Sequence, residues 1–553
     1  MVTEHKPVRV DFDSLVRIFT VPEGETSTLT QIERRLSNNL DQFLNDHIVA
    51  HEKPLVEIEK HFASTQIPEQ AQLVSDHTQH LLDNLVAHSV HTASPRFIGH
   101  MTSALPYFLM PLSKIMIALN QNTVKIETSK AFTPLERQVI GMLHRLAYQR
   151  DENFYTPFLH SAKHSLGVFC SGGTVANLTA LWVARNNAFP ADGEQFQGIE
   201  RDGAVAALRH YGYQDMAILV SERGHYSLAK AADILGIGQR NLIKIKTDHN
   251  NKLSLSDLQI TLADCQAKNI KVLAVVGIAG TTETGTVDPL NDIATLCQQY
   301  QCHFHVDAAW GGATLMSNQY RYLLDGIEHA DSITIDAHKQ LYIPMGAGMV
   351  LFKTPELAQS IEHHAQYILR DGSKDLGAHT LEGSRSGIAM LLYAAMHIIS
   401  RPGYELLINQ SIEKARRFAE MIEAHCDFEL TSKPELCLLT YRYAPQVLQR
   451  AMKHADFATK EKINCILNEL TKQIQKAQRE NGNSFVSRTQ LNLERYQGQD
   501  IVVFRVVLAN PLTTNEILSA ILDEQVNLAN TFCALLAPLR EQAQSILDSK
   551  ASS

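Results

Sequence analysis

Five short polar motifs follow apolar runs in this sequence, and each carries a residue type with chemical use. SITIDAHKQ (332–340) delivers Lys339 with His338 immediately before it. A lysine at the end of a buried strand is partly withdrawn from water, and such an amine is a competent nucleophile toward a carbonyl. Alone it reads far more readily as a solvated surface charge, so its neighbours must decide. HFHVDAAWGG (303–312) is the second motif. Residues two apart on a strand share a face, so His303, His305 and Asp307 are expected to point the same way. A carboxylate at the end of a buried strand needs a cationic partner, for which a protonated ring nitrogen would serve. The small Ala308 and Ala309 would let a flat ring approach. A cap on the following turn is the plainer role for Asp307. His-x-His also suggests a metal, but no third ligand at suitable spacing is evident, so none is expected.

VFCSGGTVANLTALWVAR (168–185) runs from a strand through Gly172, Gly173 and Thr174 into a helix. Backbone N–H groups at a helix N-terminus bind phosphate, and glycines allow its close approach. Thr174 can cap the helix or donate its hydroxyl, and a plain N-cap is the simpler reading. SERGHYSLAK (221–230) offers His225, whose flat ring can stack on a cofactor. AGTT (279–282) offers Thr281 and Thr282, whose hydroxyls can bond a ring oxygen or serve turn chemistry. Together the motifs supply an amine, a ring-nitrogen anchor, a phosphate cradle, a stacking group and hydroxyls. That set matches the needs of pyridoxal 5′-phosphate (PLP), whose protonated ring acts as an electron sink.

The elements that must position these residues are legible as apolar runs. SLGVFC, MAILVS, VLAVVGIAG, CHFHVDAA, SITID and AGMVLF are short and bounded by Gly, Asp or polar residues, as buried strands are. Helical stretches separate them, which predicts a mainly parallel sheet covered on both faces, with ligands beyond its carboxyl ends. RPG (401–403) punctuates the chain. Beyond it, FELTSKPELCLLTYRY and DIVVFRVVLANP predict strands, and residues 456–481 a helix between them. The expected organisation is an N-terminal helical segment over 1–120, a large α/β domain over 121–400 and a small α+β domain over 401–553. The segment LTQIERRLSNNLDQFLNDHI (29–48) has the period of an amphipathic helix and little core of its own.

Bulk properties narrow the function class. With 44% hydrophobic and 20% charged residues the chain reads as an ordinary globular protein. Its net charge of −9 argues against a nucleic-acid partner, which needs a basic stripe. Eight scattered cysteines without a Cys-x-x-Cys pair fit a reducing cytoplasm. No apolar run is long enough to span a bilayer, and the N-terminus lacks the apolar core of a secretory signal.

The motif set resembles the group II PLP-dependent amino-acid decarboxylases, from about Ser94 to Ala529. HVDAAWGG is similar to that family's His-Val-Asp-Ala-Ala block and AHK to its His-Lys block. The resemblance implies the aspartate-aminotransferase type of PLP fold (fold type I) and a carboxy-lyase activity. It implies that Lys339 binds the cofactor covalently, Asp307 pairs with its ring nitrogen, Ala309 underlies the ring and His225 stacks above it. Gly172, Gly173 and Thr174 would hold the phosphate, Thr282 would lie near the ring, and His338 would contact phosphate or substrate. SPRFIGHM (94–101), with Arg96, Phe97 and His100, resembles a pocket-lining segment, and GSRSG (383–387) one that carries a carboxylate-binding arginine, Arg385. The family is dimeric, with active sites at the subunit interface.

Two positions depart from the family pattern. Asp336 stands where many relatives have Asn close to the phosphate. The expected mobile loop, RDGSKDLGAHT (370–380), lacks the Tyr that often protonates the substrate carbon, leaving His379 or His225 for that role. ITIDAHKQLYIPMGAGMVLF and HTLEGSRSG look most like the bacterial branch that converts L-aspartate to β-alanine, a pantothenate precursor. An acidic substrate wants a bidentate cation, with Arg385 the first candidate and Arg96 the second. L-glutamate to 4-aminobutyrate is the alternative within the family, and a non-catalytic binding or regulatory protein on the same scaffold is the alternative outside it.

Overall fold

The computed structural model describes residues 54–364 and 372–551, together with Thr30 and Arg34. The amphipathic segment 29–48, apart from those two residues, and the first two residues of the expected loop lie outside the described residues.

Seven strands form the large sheet: β1 (Gly167–Cys170), β2 (Asp215–Ser221), β3 (Leu242–Ile245), β4 (Ile270–Ile278), β5 (His303–Asp307), β6 (Ser332–Asp336) and β7 (Gly348–Phe352), in the order β1-β7-β6-β5-β4-β2-β3. β3, β2, β4, β5 and β6 pair in parallel, and β7 runs antiparallel between β6 and β1. The sheet is therefore mainly parallel, as the apolar runs predicted. β3 was not among them because LIKI is only four residues long and interrupted by Lys244. Along β2, Met216, Ile218 and Val220 join one apolar cluster while Ala217 and Leu219 join another, so both faces are covered. Each fully buried side chain of the Val, Leu, Ile or Met kind contributes about 1.5–3 kcal/mol.

Helix α1 (Gly173–Ala188) follows β1 and packs on β6 and β7, which carries its N-terminus to the sheet's carboxyl edge. A long helix, α2 (Ser400–Ala424), leads to a second, antiparallel sheet of β8 (Phe428–Ser432), β9 (Leu438–Tyr443), β10 (Ser487–Asn492) and β11 (Asp500–Val507), ordered β10-β11-β9-β8. β10, SRTQLN, is a polar edge strand without an apolar run to betray it. The chain near Ile98 joins this small sheet: Ile98 N–H donates to the Phe485 carbonyl, and Val507 N–H donates to the Ile98 carbonyl. Residues 96–98 thus lie against the C-terminal sheet of their own chain.

Candidate active site

The segments leaving β1, β2, β4, β5 and β6 converge at one edge of the large sheet on a cavity of about 680 Å³. That volume is typical of a small-molecule site. Gly172, Gly173, Thr174, His225, Thr282, Asp307, Ala309, His338, Lys339 and His100, all predicted from sequence, line it together.

Lys339 lies just past β6, with its amine 3.1 Å from Asp336 Oδ2. Asp336 is buried, its Oδ1 has no partner, and His338 Nε2 stands 3.6 Å from its Oδ2. His338 Nδ1 donates to the Ala347 carbonyl at 2.8 Å, which fixes the ring. The departure noted at position 336 is thus accommodated by Lys339 and His338.

The α1 N-terminus forms a cradle. Val175 and Ala176 N–H groups bond the Gly172 carbonyl, whereas those of Gly173 and Thr174 make no hydrogen bond among the described residues, as befits the first N–H groups of a helix. A Cβ at Gly173 would come within 2.8 Å of Asp336 Oδ2 and 3.2 Å of the Ala309 methyl, so a side chain there would fill the cradle. Gly280, at φ +101°, makes the tight turn before Thr281 and Thr282 that no β-branched residue could make cheaply.

Asp307 is anchored from behind. Its Oδ2 accepts from Asn177 Nδ2 at 2.9 Å and its Oδ1 from the Ala309 N–H at 3.2 Å. Burial pushes the His225 imidazole below its ordinary value, with Lys339 adding to the push and Asp307 opposing it. His225 Nδ1 accepts from the Ser227 N–H and is 2.9 Å from the Ser227 hydroxyl, so the neutral ring carries its proton on Nε2. Burial and the charges of Arg505 and Lys339 likewise hold His100 below its ordinary value.

These groups fit a phosphorylated pyridine aldehyde. Orphan N–H groups suit the phosphate, the orphaned Asp336 oxygen and the Lys339 amine border the place for the aldehyde, and Asp307 offers a fixed carboxylate for a protonated ring nitrogen.

Four predicted residues are not brought to this cavity. Arg385 Nη1 and Nη2 contact Glu136 at 3.3 and 2.7 Å, a buried pair that already neutralises the guanidinium. Phe97 stacks on Phe485 at 4.8 Å in the small-sheet interface, and the adjoining Arg96 is not among the cavity-lining residues. His379 closes a short turn, Leu376–His379, beside Arg137 and His164; burial, with Arg137 adding to it, pushes its imidazole down to about 4.

Among the lining residues that the sequence did not point to are Arg505, Arg223 and Asn177. Arg505 comes from β11, and burial pushes its guanidinium down to about 10. Its Nε donates to the Thr282 carbonyl at 2.6 Å, and its Nη1 lies 3.4 Å from both the Gly99 carbonyl and the Ser487 hydroxyl. No carboxylate forms an ion pair with it among the described residues. A lone arginine inside the apolar run IVVFRVVL was the available signal. The same signal marks Arg442 in LLTYRY, which is buried against Glu429 at 2.7 Å.

Comparison with known proteins agrees with this geometry. Residues 56–444 match the pyridoxal-dependent decarboxylase conserved domain. The chain is 64% identical over 547 residues to the aspartate 1-decarboxylase of Aliivibrio fischeri, covering 99% of this chain and 100% of that relative. It is 29% identical over 385 residues to the acidic amino acid decarboxylase GADL1 of Xenopus tropicalis, covering 68% and 70%. The crystal structure of mouse CSAD superposes with a TM-score of 0.75 at 24% identity, covering 88% of this chain and 94% of that one, a likeness of fold.

Proposed function

The chain belongs to the pyridoxal-dependent decarboxylase family and is a PLP-dependent amino-acid decarboxylase; from that premise we propose that its substrate is L-aspartate and its products β-alanine and CO2. The observation that carries the substrate is the 64% identity, spread over 99% of the chain, to an aspartate 1-decarboxylase. A guanidinium in the cavity with no carboxylate partner of its own among the described residues supports an acidic substrate.

Bound PLP supplies an electron sink for the pair left behind when the carboxylate departs. The protein's part is binding, orientation and proton placement. Lys339 is the covalent attachment point and Asp336 holds its amine. The Gly173 and Thr174 N–H groups bind the phosphate, and Asp307 keeps the ring nitrogen protonated. Arg505 binds the side-chain carboxylate, so the bond to the α-carboxylate is the one presented for cleavage. Each turnover exchanges one carboxylate on Cα for one proton. His225, which lines the cavity, is the group placed to deliver it, as the imidazolium, and general acids of this kind contribute about 10²–10⁴-fold.

We read the assembly as a homodimer of chains divided at 1–120, 121–400 and 401–553. Helix Leu109–Leu119 leaves Ile115, Ile117 and Leu119 half or more exposed, apolar surface on both sides of the helix that a second copy would cover. The scattered cysteines support a reducing, cytoplasmic setting.

Purified protein with PLP, offered L-aspartate, L-glutamate, cysteine sulfinate and aromatic amino acids in turn, is expected to release CO2 and β-alanine from aspartate most efficiently. Preferential formation of 4-aminobutyrate or another amine overturns the substrate. Aspartate and glutamate differ by one methylene, a discrimination worth about 1–3 kcal/mol, so kcat/KM ratios are the deciding measure.

A further inference from the structure

Behind Asp307 lies a buried hydrogen-bond hub that no step above uses. Asn177, in the second turn of α1, is 1% exposed, and its amide has three partners. Nδ2 donates to Asp307 Oδ2 at 2.9 Å and to Ser227 Oγ at 3.1 Å, and Oδ1 accepts from His305 Nε2 at 3.0 Å. The opposite amide placement would set a carbonyl against the Asp307 carboxylate, so the orientation is fixed.

His305 donates from Nε2, and its Nδ1 lies 2.8 Å from the Ser332 hydroxyl and 3.2 Å from the Ser332 carbonyl. Burial pushes His305 down to about 4, in keeping with a neutral ring. Ser332 Oγ also lies 2.7 Å from His303 Nε2. At the other end, Ser227 Oγ accepts from Asn177, so its single proton goes to His225 Nδ1. The network meets at Asn177, which joins His305 on one side to Asp307 and Ser227–His225 on the other.

We infer that Asn177 is a positioning residue that, through one amide, both fixes the Asp307 carboxylate toward the ring nitrogen and turns the Ser227 hydroxyl onto His225 Nδ1, where it reinforces the orientation that the Ser227 N–H sets. The inference rests on the reading that Asp307 and His225 face the cofactor. A neutral donor fits this role because it restrains the carboxylate without neutralising the charge the ring nitrogen needs. A cation in its place would compete for that charge.

The test uses full-length holoenzyme carrying Asn177→Ala, Asn177→Asp or Ser227→Ala, read by the visible absorbance of the Lys339-bound cofactor against pH and by steady-state kinetics on aspartate. Asn177→Ala is expected to keep the band, shift the pH midpoint of its titration, and lower kcat by about ten- to a hundredfold with KM nearly unchanged. Ser227→Ala removes the His225 branch alone, so kcat falls while the band titrates as in the parent. Lys339, Asp336 and Lys230, the other charges bearing on His225, are untouched in all three variants. Asn177→Asp keeps the side-chain volume and sets a second carboxylate against Asp307, so it is expected to shift the midpoint further, and it serves if the alanine variant does not fold. An Asn177→Ala or Asn177→Asp holoenzyme with the parent's midpoint and a kcat within about twofold overturns the inference. A parent enzyme whose band does not depend on Lys339 overturns instead the reading beneath it.

Discussion

Arg385 Nη2 lies 2.7 Å from Glu136 Oε1, and both side chains are buried. Arg505, which lines the cavity, bonds neutral oxygens alone among the described residues. The two arginines are therefore expected to fail differently. Arg505→Ala loses charge-assisted bonds to the substrate, and kcat/KM for aspartate should fall about a hundredfold. Arg385→Ala strands a buried carboxylate and should cost about 3–5 kcal/mol of stability. Steady-state kinetics paired with thermal denaturation separates them. A folded Arg505→Ala enzyme with the parent's kcat/KM would remove Arg505 from the substrate site.

Lys339→Ala should abolish both activity and the visible band of protein-bound PLP. Its amine is the one that reaches Asp336, at 3.1 Å. Absorbance spectra of the purified variant decide the matter, and a retained band would sink the assignment of Lys339.

Ile117 is 69% exposed on helix Leu109–Leu119. With a second copy covering this helix, Ile117→Glu buries an unpaired charge and should shift the protein toward monomer. Sedimentation or light scattering of parent and variant reads this directly, and an unchanged association state places the subunit interface elsewhere.

His144 ties α-helical Phe132–Tyr148 to β7: its Nε2 donates to the Phe352 carbonyl and its Nδ1 accepts from the Tyr155 hydroxyl, both at 2.9 Å. Burial pushes its imidazole down to about 4. The folded-state value lies below the unfolded one of about 6.5, so between those pH values the unfolded chain binds the extra proton, and His144 lowers stability as pH falls through that window. Denaturant titrations of parent and His144→Asn across pH 4–7 should show a variant slope shallower by up to about 1.4 kcal/mol per pH unit. Parallel slopes would contradict a neutral buried His144.

Much of the site was legible before folding was considered. Apolar runs ending in polar motifs announce parallel strands whose carboxyl ends meet, because only a doubly covered sheet needs such runs and its ligands gather at one edge. Strand parity put His305 and Asp307 on one face, and Gly172–Gly173 before a helical run signalled an anion cradle. Local chemistry of this kind travels with a few neighbouring residues.

What the sequence by itself determined, then, is a set of polar residues that meet in one cavity: Lys339, Asp307, His225 and the glycine pair, each readable from its own short motif. What only the tertiary structure decided is the fate of residues whose partners are distant in the chain. Arg385 is paired with Glu136 across 249 positions, and Asn177 with Asp307 across 130. Arg442 and Arg505 look alike within their apolar strands, yet one meets Glu429 and the other opens on the cavity. A buried charge is defined by what it meets, and which groups meet is set by packing rather than by the residue type that the sequence records.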